Sequence, residues 1–327
     1  MRRLPRIDDF TPDTEGWGYF LCVGKEPRPT RSGEILLMSL QDATGQIGAK
    51  LADDIERFRD EFEPGEFVRI EGRSVLFQGQ PQFLVTHIRR VNPPQDRLQG
   101  FKEEDCVLSA PRSIEEMWGE LRAHLERVRD PHLRVLLNRI TSDHEPQLRE
   151  WPAAQTIHHA YRGGLLEHTL KMADVAVSVA RAYQANEDLV LAGVLLHDIG
   201  KLQELQYEPG GATYTRDGNL IGHIGLGLIL VRDTINGISG FPDDLRSQVE
   251  HLIVSHHGTR DHGSPVEPRT VEAFILAMVD ELDTRIHQVR RAINEDPGSD
   301  EFTGWHKRLG RVLYKGRGDE GSRVRRS

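Results

Sequence analysis

Two hydrophobic periods divide the chain. Up to about residue 92, apolar positions recur in short alternating runs broken by turn residues, the signature of strands. Tyr19–Val23, Glu34–Leu40 and Gln46–Leu51 read as three strands, the last two joined by the turn DATG. Asp53–Phe62 reads as a short helix, and Glu66–Phe77 with Gln82–Val91 as a hairpin around QGQP. Five strands with a helix between the third and fourth is the order of an OB-fold, a small barrel; an SH3-like barrel is the rival arrangement.

The segment NPPQDRLQGFKEEDCVLSAP, with two prolines and no period, reads as a linker. Beyond it the period lengthens to that of helices. Ser113, with Glu116 three residues on, makes a capping box, and Leu121, Leu125, Val128 and Leu133 to Leu137 continue the helical pattern. Leu189 to Leu196 is apolar on every side and reads as a buried helix. Helices and short loops then run to about Asn294, except at YEPGGATYTRDGNL (207–220), which suggests a small β-excursion or lid. The expected architecture is multidomain: a small all-β, OB-like barrel over 1–95, a linker at 96–112, an all-α domain over 113–300 and a basic tail at 301–327.

The chemistry gathers in the helical part. His197 and Asp198 follow the buried helix in LLHDIGK, and two metal-ligand side chains at such a place need a reason to be there. A divalent cation supplies one, since it holds imidazole and carboxylate together and offsets the cost of burying charge. Lys201 would add a fixed positive charge about a turn away, suited to a phosphate. His168 in GGLLEHTL, His223 in GHIGLG, His256 and His257 in VSHHG, and Asp280 closing FILAMVD extend the set to five His and two Asp. His168 shares a helical face with Met172, Val175 and Val179, and His256 with Val249 and Leu252, so both point inward. A closed tetrahedral site takes only about four ligands; seven suit two cations sharing a bridging carboxylate. A histidine taken singly is more often a core or surface residue, and the remaining ones are read that way. The exceptions are His158 and His159, which precede the His168 helix and fit a cleft wall or a helix start equally well. Glu167 reads as a solvated helix residue, with support of the neighbouring His168 as the alternative.

Composition agrees with a soluble enzyme. Two cysteines, Cys22 and Cys106, exclude a disulfide framework and a thiolate-rich zinc site. MRRLPRIDDF lacks the apolar core of a signal peptide, and no apolar run is long enough for a membrane span. A net charge of −9 argues mildly against a nucleic-acid partner. Two bound cations would reverse that sign locally, and from Thr303 to Ser327 eight Lys or Arg face two acids. On the barrel, Phe77 and Phe83 are candidates for stacking bases, and Lys50, Arg69 and Arg73 for phosphates.

In order, His168, His197-Asp198 and Asp280 resemble the H…HD…D pattern of the HD-domain metal-dependent phosphohydrolases. IHHAYRGGLLEHTL, LAGVLLHDIGK, GHIGLG, LIVSHHG and AMVDELD, behind a β-rich segment, resemble the YhaM-type 3′-5′ exoribonucleases from about Phe20 to Leu313. The resemblance implies an OB-type domain before an HD domain, with single-stranded RNA trimmed from its 3′ end in the cytoplasm; DNA is the alternative polymer. On this reading His168, His197, Asp198 and Asp280 hold one cation, His223, His256 and His257 a second, and Asp198 bridges. Asp198 and Lys201 are the catalytic residues, Lys201 neutralising phosphoryl charge. The expected cofactors are two divalent ions, Mn2+ first, with Fe, Co or Zn accommodated by the same donors. Homo-oligomerisation is left open, and no membrane partner is expected. Two rivals stand: a phosphodiesterase of small or cyclic nucleotides, disfavoured by the lack of a GYP triplet, and a non-catalytic RNA-binding protein with a structural metal.

Overall fold

The computed structural model describes residues 2–316, apart from 31–32, 78–79, 156–159, 209–210, 295, 297 and 299. The chain falls into two units, 1–109 with 207–211, and 110–206 with 212–327.

In the first unit, β1 (Glu15–Thr30), β2 (Gly33–Gln41), β3 (Gln46–Leu51), the single-turn helix α1 (Ile55–Phe58), β4 (Phe67–Phe77) and β5 (Gln80–Arg90) follow in order. The strands close a barrel in the order β1-β2-β3-β5-β4, through antiparallel ladders and one parallel pairing of β3 with β5. That order, with a helix between β3 and β4, is the OB arrangement. Phe20, Leu36, Leu40, Leu51, Phe62, Ile70 and Phe83 fill the barrel.

Three expectations change here. β1 is far longer than Tyr19–Val23. It pairs with β4 from Glu15 to Leu21 and with β2 from Leu21 to Thr30. Pro27 and Pro29 lie beyond the β4 pairing, where β1 has β2 as its ladder partner on one side, the edge setting that tolerates proline. The helix expected over Asp53–Phe62 shrinks to Ile55–Phe58. The expected linker is largely packed structure. After α2 (Pro93–Asp96), Phe101 and Cys106 bury against Tyr19 and Leu21. The fully buried Asp96 carboxylate accepts from Arg89 at 2.7 and 2.8 Å, Tyr19 Oη at 2.9 Å and the Asn92 amide at 2.7 Å.

The second unit contains α3 (Ile114–Arg127), α4 (Pro131–Asp143), α5 (Glu145–Glu150), α6 (Gly164–Ala182), α7 (Glu187–Leu196) and α8 (Lys201–Glu204). The strands β6 (Leu205–Glu208) and β7 (Gly211–Tyr214) follow, then α9 (Arg216–Asn236), α10 (Asp243–Ser255) and α11 (Val271–Asn294). The β6–β7 pair is the expected β-excursion, so the chain beyond residue 112 is not wholly helical. Ser113 caps α3 by accepting from the Glu116 amide, as its sequence predicts. Every residue of α7 from Leu189 to Leu196 is buried. Packing of α4, α6, α10 and α11 around that apolar rod, with α9 against α4, α8 and α10, forms the core and brings these helices to one place.

Candidate metal centre

Five helices each deliver part of the site. His168 lies in the first turns of α6, His197 caps the C-terminus of α7, and Asp198 opens the turn that leads to α8. His223 is on α9, His256 caps the C-terminus of α10 with His257 next to it, and Asp280 is on α11. His168, His197 and His256 are each no more than 1% exposed, so apolar helix packing has driven them inward.

The seven residues form two adjoining groups. The donor atoms of His168, His197 and Asp280 all lie within 4.8 Å of one another, as do those of His223, His256 and His257. Asp198 stands between them. Its Oδ2 is 3.3 Å from His197 Nε2 and 3.8 Å from His168 Nε2, whereas its Oδ1 is 3.6 Å from His223 Nε2 and 3.9 Å from His256 Nε2. One carboxylate therefore presents an oxygen to each group.

All five imidazoles are held by Nδ1. His197 donates from Nδ1 to Val194 O at 2.9 Å, His256 to Ile253 O at 2.7 Å and His257 to His262 O at 2.9 Å. His168 donates to Asp283 Oδ2 at 2.7 Å and His223 to Glu204 Oε1 at 3.1 Å. With Nδ1 carrying hydrogen, each ring turns Nε2 toward the common centre, as a lone pair wherever the ring is neutral. Buried Nε2 atoms of His223 and His256 have no hydrogen-bond partner. Nε2 of His168 and Nε2 of His197 face each other at 3.3 Å, a contact that repels unless a proton or a cation lies between. Orphaned acceptors, two ionised aspartates and outer-shell orientation of every ring are what divalent cations require, so the residues fit two such ions.

Electrostatics point the same way. Burial disfavours charge on Asp198, but Lys201 and His197 outweigh it and hold the carboxyl well below its usual range. Burial likewise opposes ionisation of Asp280, and the hydrogen bond with His168 outweighs it. His168 is pushed up to about 9, because hydrogen bonds to Asp280 and Asp283 overcome the burial that disfavours its charge. Burial keeps His256 and His257 neutral, the form that binds metal.

Lys201 is itself buried, and its Nζ donates to Asp198 Oδ2 at 2.6 Å. It is thus the counter-ion of the Asp198 carboxylate, a role the sequence reading did not assign. Glu167 is not solvated: it is 2% exposed, pairs with Lys171 at 3.1 Å and accepts from Tyr161 Oη. Val175, expected on the inward face with His168, is 40% exposed, while Leu165, Thr169, Met172, Ala173 and Ala176 form the true buried stripe of α6. His158 and His159 lie outside the described residues. The sequence reading passed over Asp283 and Glu204. Asp283 stands three residues after Asp280 on α11, a spacing that shares a face, and that was its only signal.

The barrel candidates divide. Phe83 is fully buried in the barrel core and cannot stack on a base, which corrects the expectation; strand parity aims it inward with Val85. The Arg69 guanidinium lies 4.7 Å from the Trp17 ring centroid and pairs with Glu71 at 2.7 Å. Arg73 and Phe77 are exposed, four residues apart on one face of β4, and Lys50 is half-buried on β3.

Two groups of metal-competent side chains on either side of one aspartate are the arrangement expected of an HD domain, and residues 165–285 match the HD domain family. That span contains all seven ligand candidates. Over 301 residues the chain is 32% identical to the 3′-5′ exoribonuclease YhaM of Halalkalibacterium halodurans, covering 91% of this chain and 92% of that one. The chain belongs to the YhaM family. The barrel is similar to the second OB-fold domain of replication protein A from Methanococcus maripaludis, 18% identical over 28% of this chain and 96% of that one, with a TM-score of 0.24. It is also similar to an OB domain from Thermoplasma acidophilum, 19% identical over 28% of this chain and 89% of that one, with a TM-score of 0.23. No helix among the described residues is long and apolar enough to cross a membrane.

Proposed function

We propose that the protein is a two-metal 3′-5′ exoribonuclease that removes nucleoside monophosphates from single-stranded RNA. The observation that carries this reading is Asp198 with one oxygen toward each imidazole group. His168, His197 and Asp280 would hold one ion, His223, His256 and His257 the other, and Asp198 both. When bound, divalent cations supply Lewis-acid chemistry: they lower the pKa of water and offset charge on a phosphoryl group. The chain's own part is preorganisation. Val194, Ile253 and His262 carbonyls, with Asp283 and Glu204, fix the rings before substrate arrives, so little reorganisation remains at the reacting phosphate. Lys201 keeps Asp198 ionised and adds positive charge beside the phosphate position. The His and carboxylate donors accept Mn2+, Fe, Co or Zn, and Mn2+ is the ion we take for the test. On the barrel, Phe77 would stack a base while Arg73 and Lys50 meet backbone phosphates. The setting is the cytoplasm, in keeping with two buried, unpaired cysteines.

The test is 5′-labelled single-stranded RNA incubated with Mn2+ and either the wild type or Asp198→Ala. A ladder that shortens from the 3′ end and disappears in the variant supports the assignment. Hydrolysis confined to small nucleotides, or RNA binding without turnover, refutes it.

A further inference from the structure

We propose that each metal position has its own positioning carboxylate, Asp283 for the first and Glu204 for the second, so that removing one weakens one ion and spares the other. This rests on the two-metal reading above. Three of the five ligand rings, those of His197, His256 and His257, are oriented by main-chain carbonyls, which no substitution at the acceptor removes. The other two depend on side chains, and they fall one in each group: His168 on Asp283 and His223 on Glu204.

Glu204 does more than aim a ring. Helix α9 breaks at Gly222, whose φ of 76° and ψ of 160° lie outside the helical region. The His223 amide therefore begins a new helical segment and needs an acceptor that the break has taken away. Glu204 Oε1 accepts both that amide, at 2.9 Å, and the His223 ring Nδ1–H, at 3.1 Å. One buried carboxylate oxygen caps the segment and sets the ring, fixing backbone and side chain of the same ligand. Burial acts against its charge, and the hydrogen bond from His223 outweighs burial to hold the carboxyl below its usual range. Asp283 reaches His168 from α11, one turn beyond Asp280, so that helix supplies both a ligand and the residue that aims the neighbouring ligand.

The experiment uses the full chain, stripped with chelator and titrated with Mn2+ by calorimetry. Bound manganese is counted by atomic emission, and the ion pair is followed by electron paramagnetic resonance. Wild type is expected to take two ions with an exchange-coupled spectrum. Glu204→Ala should keep one ion at wild-type affinity and bind the other about ten- to a hundredfold more weakly, with a single-ion spectrum. Adding His223→Ala to it should cost less than His223→Ala costs in the wild type, whereas adding Asp283→Ala should weaken both ions by about the same ten- to a hundredfold. Glu204→Gln, which keeps the acceptor oxygen, should restore the second ion to within about tenfold. Glu204→Ala binding two ions within threefold of wild type overturns the inference. So does equal weakening of both ions in Glu204→Ala or Glu204→Gln with an unchanged thermal melt; the Gln variant decides the matter if the Ala variant does not fold. A wild type that binds a single ion sinks the two-metal reading itself, and is seen before any variant is made.

Discussion

Gly200, in the turn between Asp198 and Lys201, offers a measure of how tightly the centre is built. A Cβ placed there would stand 2.0 Å from the His223 carbonyl oxygen and 2.5 Å from the Gly227 nitrogen, both backbone atoms of α9. Real Cβ contacts essentially never fall under 3.0 Å, so Gly200→Ala must drive the HD turn and α9 apart by about 1 Å. Overpacking of this kind costs about 1–3 kcal/mol, which for a unit of this size lowers Tm by roughly 2–10 °C. The functional effect should exceed the stability effect, because the displaced segment carries His223. A ligand about 1 Å out of place can cost on the order of a hundredfold in rate. Differential scanning calorimetry and RNA hydrolysis at saturating Mn2+ test both terms. A Gly200→Ala protein that melts within 1 °C of wild type and keeps a third of its activity would refute the claim that α9 is held against the HD turn by contact at this glycine.

The barrel makes a paired prediction. Phe83→Ala should cost about 3–5 kcal/mol of barrel stability, read as a lower urea midpoint. Phe77→Ala should leave that midpoint unchanged and weaken single-stranded RNA binding by about 1–3 kcal/mol in an anisotropy titration. Asp96 gives a pH dependence. Its carboxyl is held down at about 2, chiefly by the hydrogen bond from Arg89, against about 4 in the unfolded chain. Its contribution, about 2 kcal/mol, is whole above pH 4 and is lost as pH falls toward 2. Asp96→Asn should flatten the urea midpoint over that window, and an unchanged acid slope would count against it. Chelator should abolish RNA hydrolysis and lower Tm, and added Mn2+ at about a hundred times its Kd should restore about 2.7 kcal/mol per ion. A melt indifferent to chelator contradicts a folded-state metal centre.

The proposed ligand set was legible because each member is a metal-competent residue set against apolar helical sequence, where a bare imidazole or carboxylate has no other excuse. Asp198 after eight apolar residues and Asp280 after FILAMV are costly without a partner, and that cost is visible in one dimension. Phe83 and Phe77 show the opposite case. Both are aromatics on strands, and which one faces inward depends on register and on the bulge at Glu71/Gly72, where closing of the barrel settles parity. The misread linker failed for a related reason. Phe101 and Cys106 bury without any periodicity, and Asp96 is a surface residue by type, made interior by Arg89 from the preceding strand and Tyr19 from one 77 residues away.

Asp283 and Glu204 define the limit of what sequence carries. An acidic residue on a helix is ordinarily solvated, and nothing in composition or spacing separates Glu204 from its many exposed counterparts. Its identity as a cap and ring clasp arises only when α9 breaks at Gly222 and presents an unsatisfied amide beside a ligand imidazole. Ligands are legible because burying them is expensive. The groups that aim them are legible only in three dimensions, because their cost is offset by a hydrogen bond whose partner lies 19 residues away for Glu204 and 115 for Asp283. A centre of this kind therefore has two layers of specification. The inner one is written in residue type, and the outer one in the fold that the buried rod of α7 organises around it.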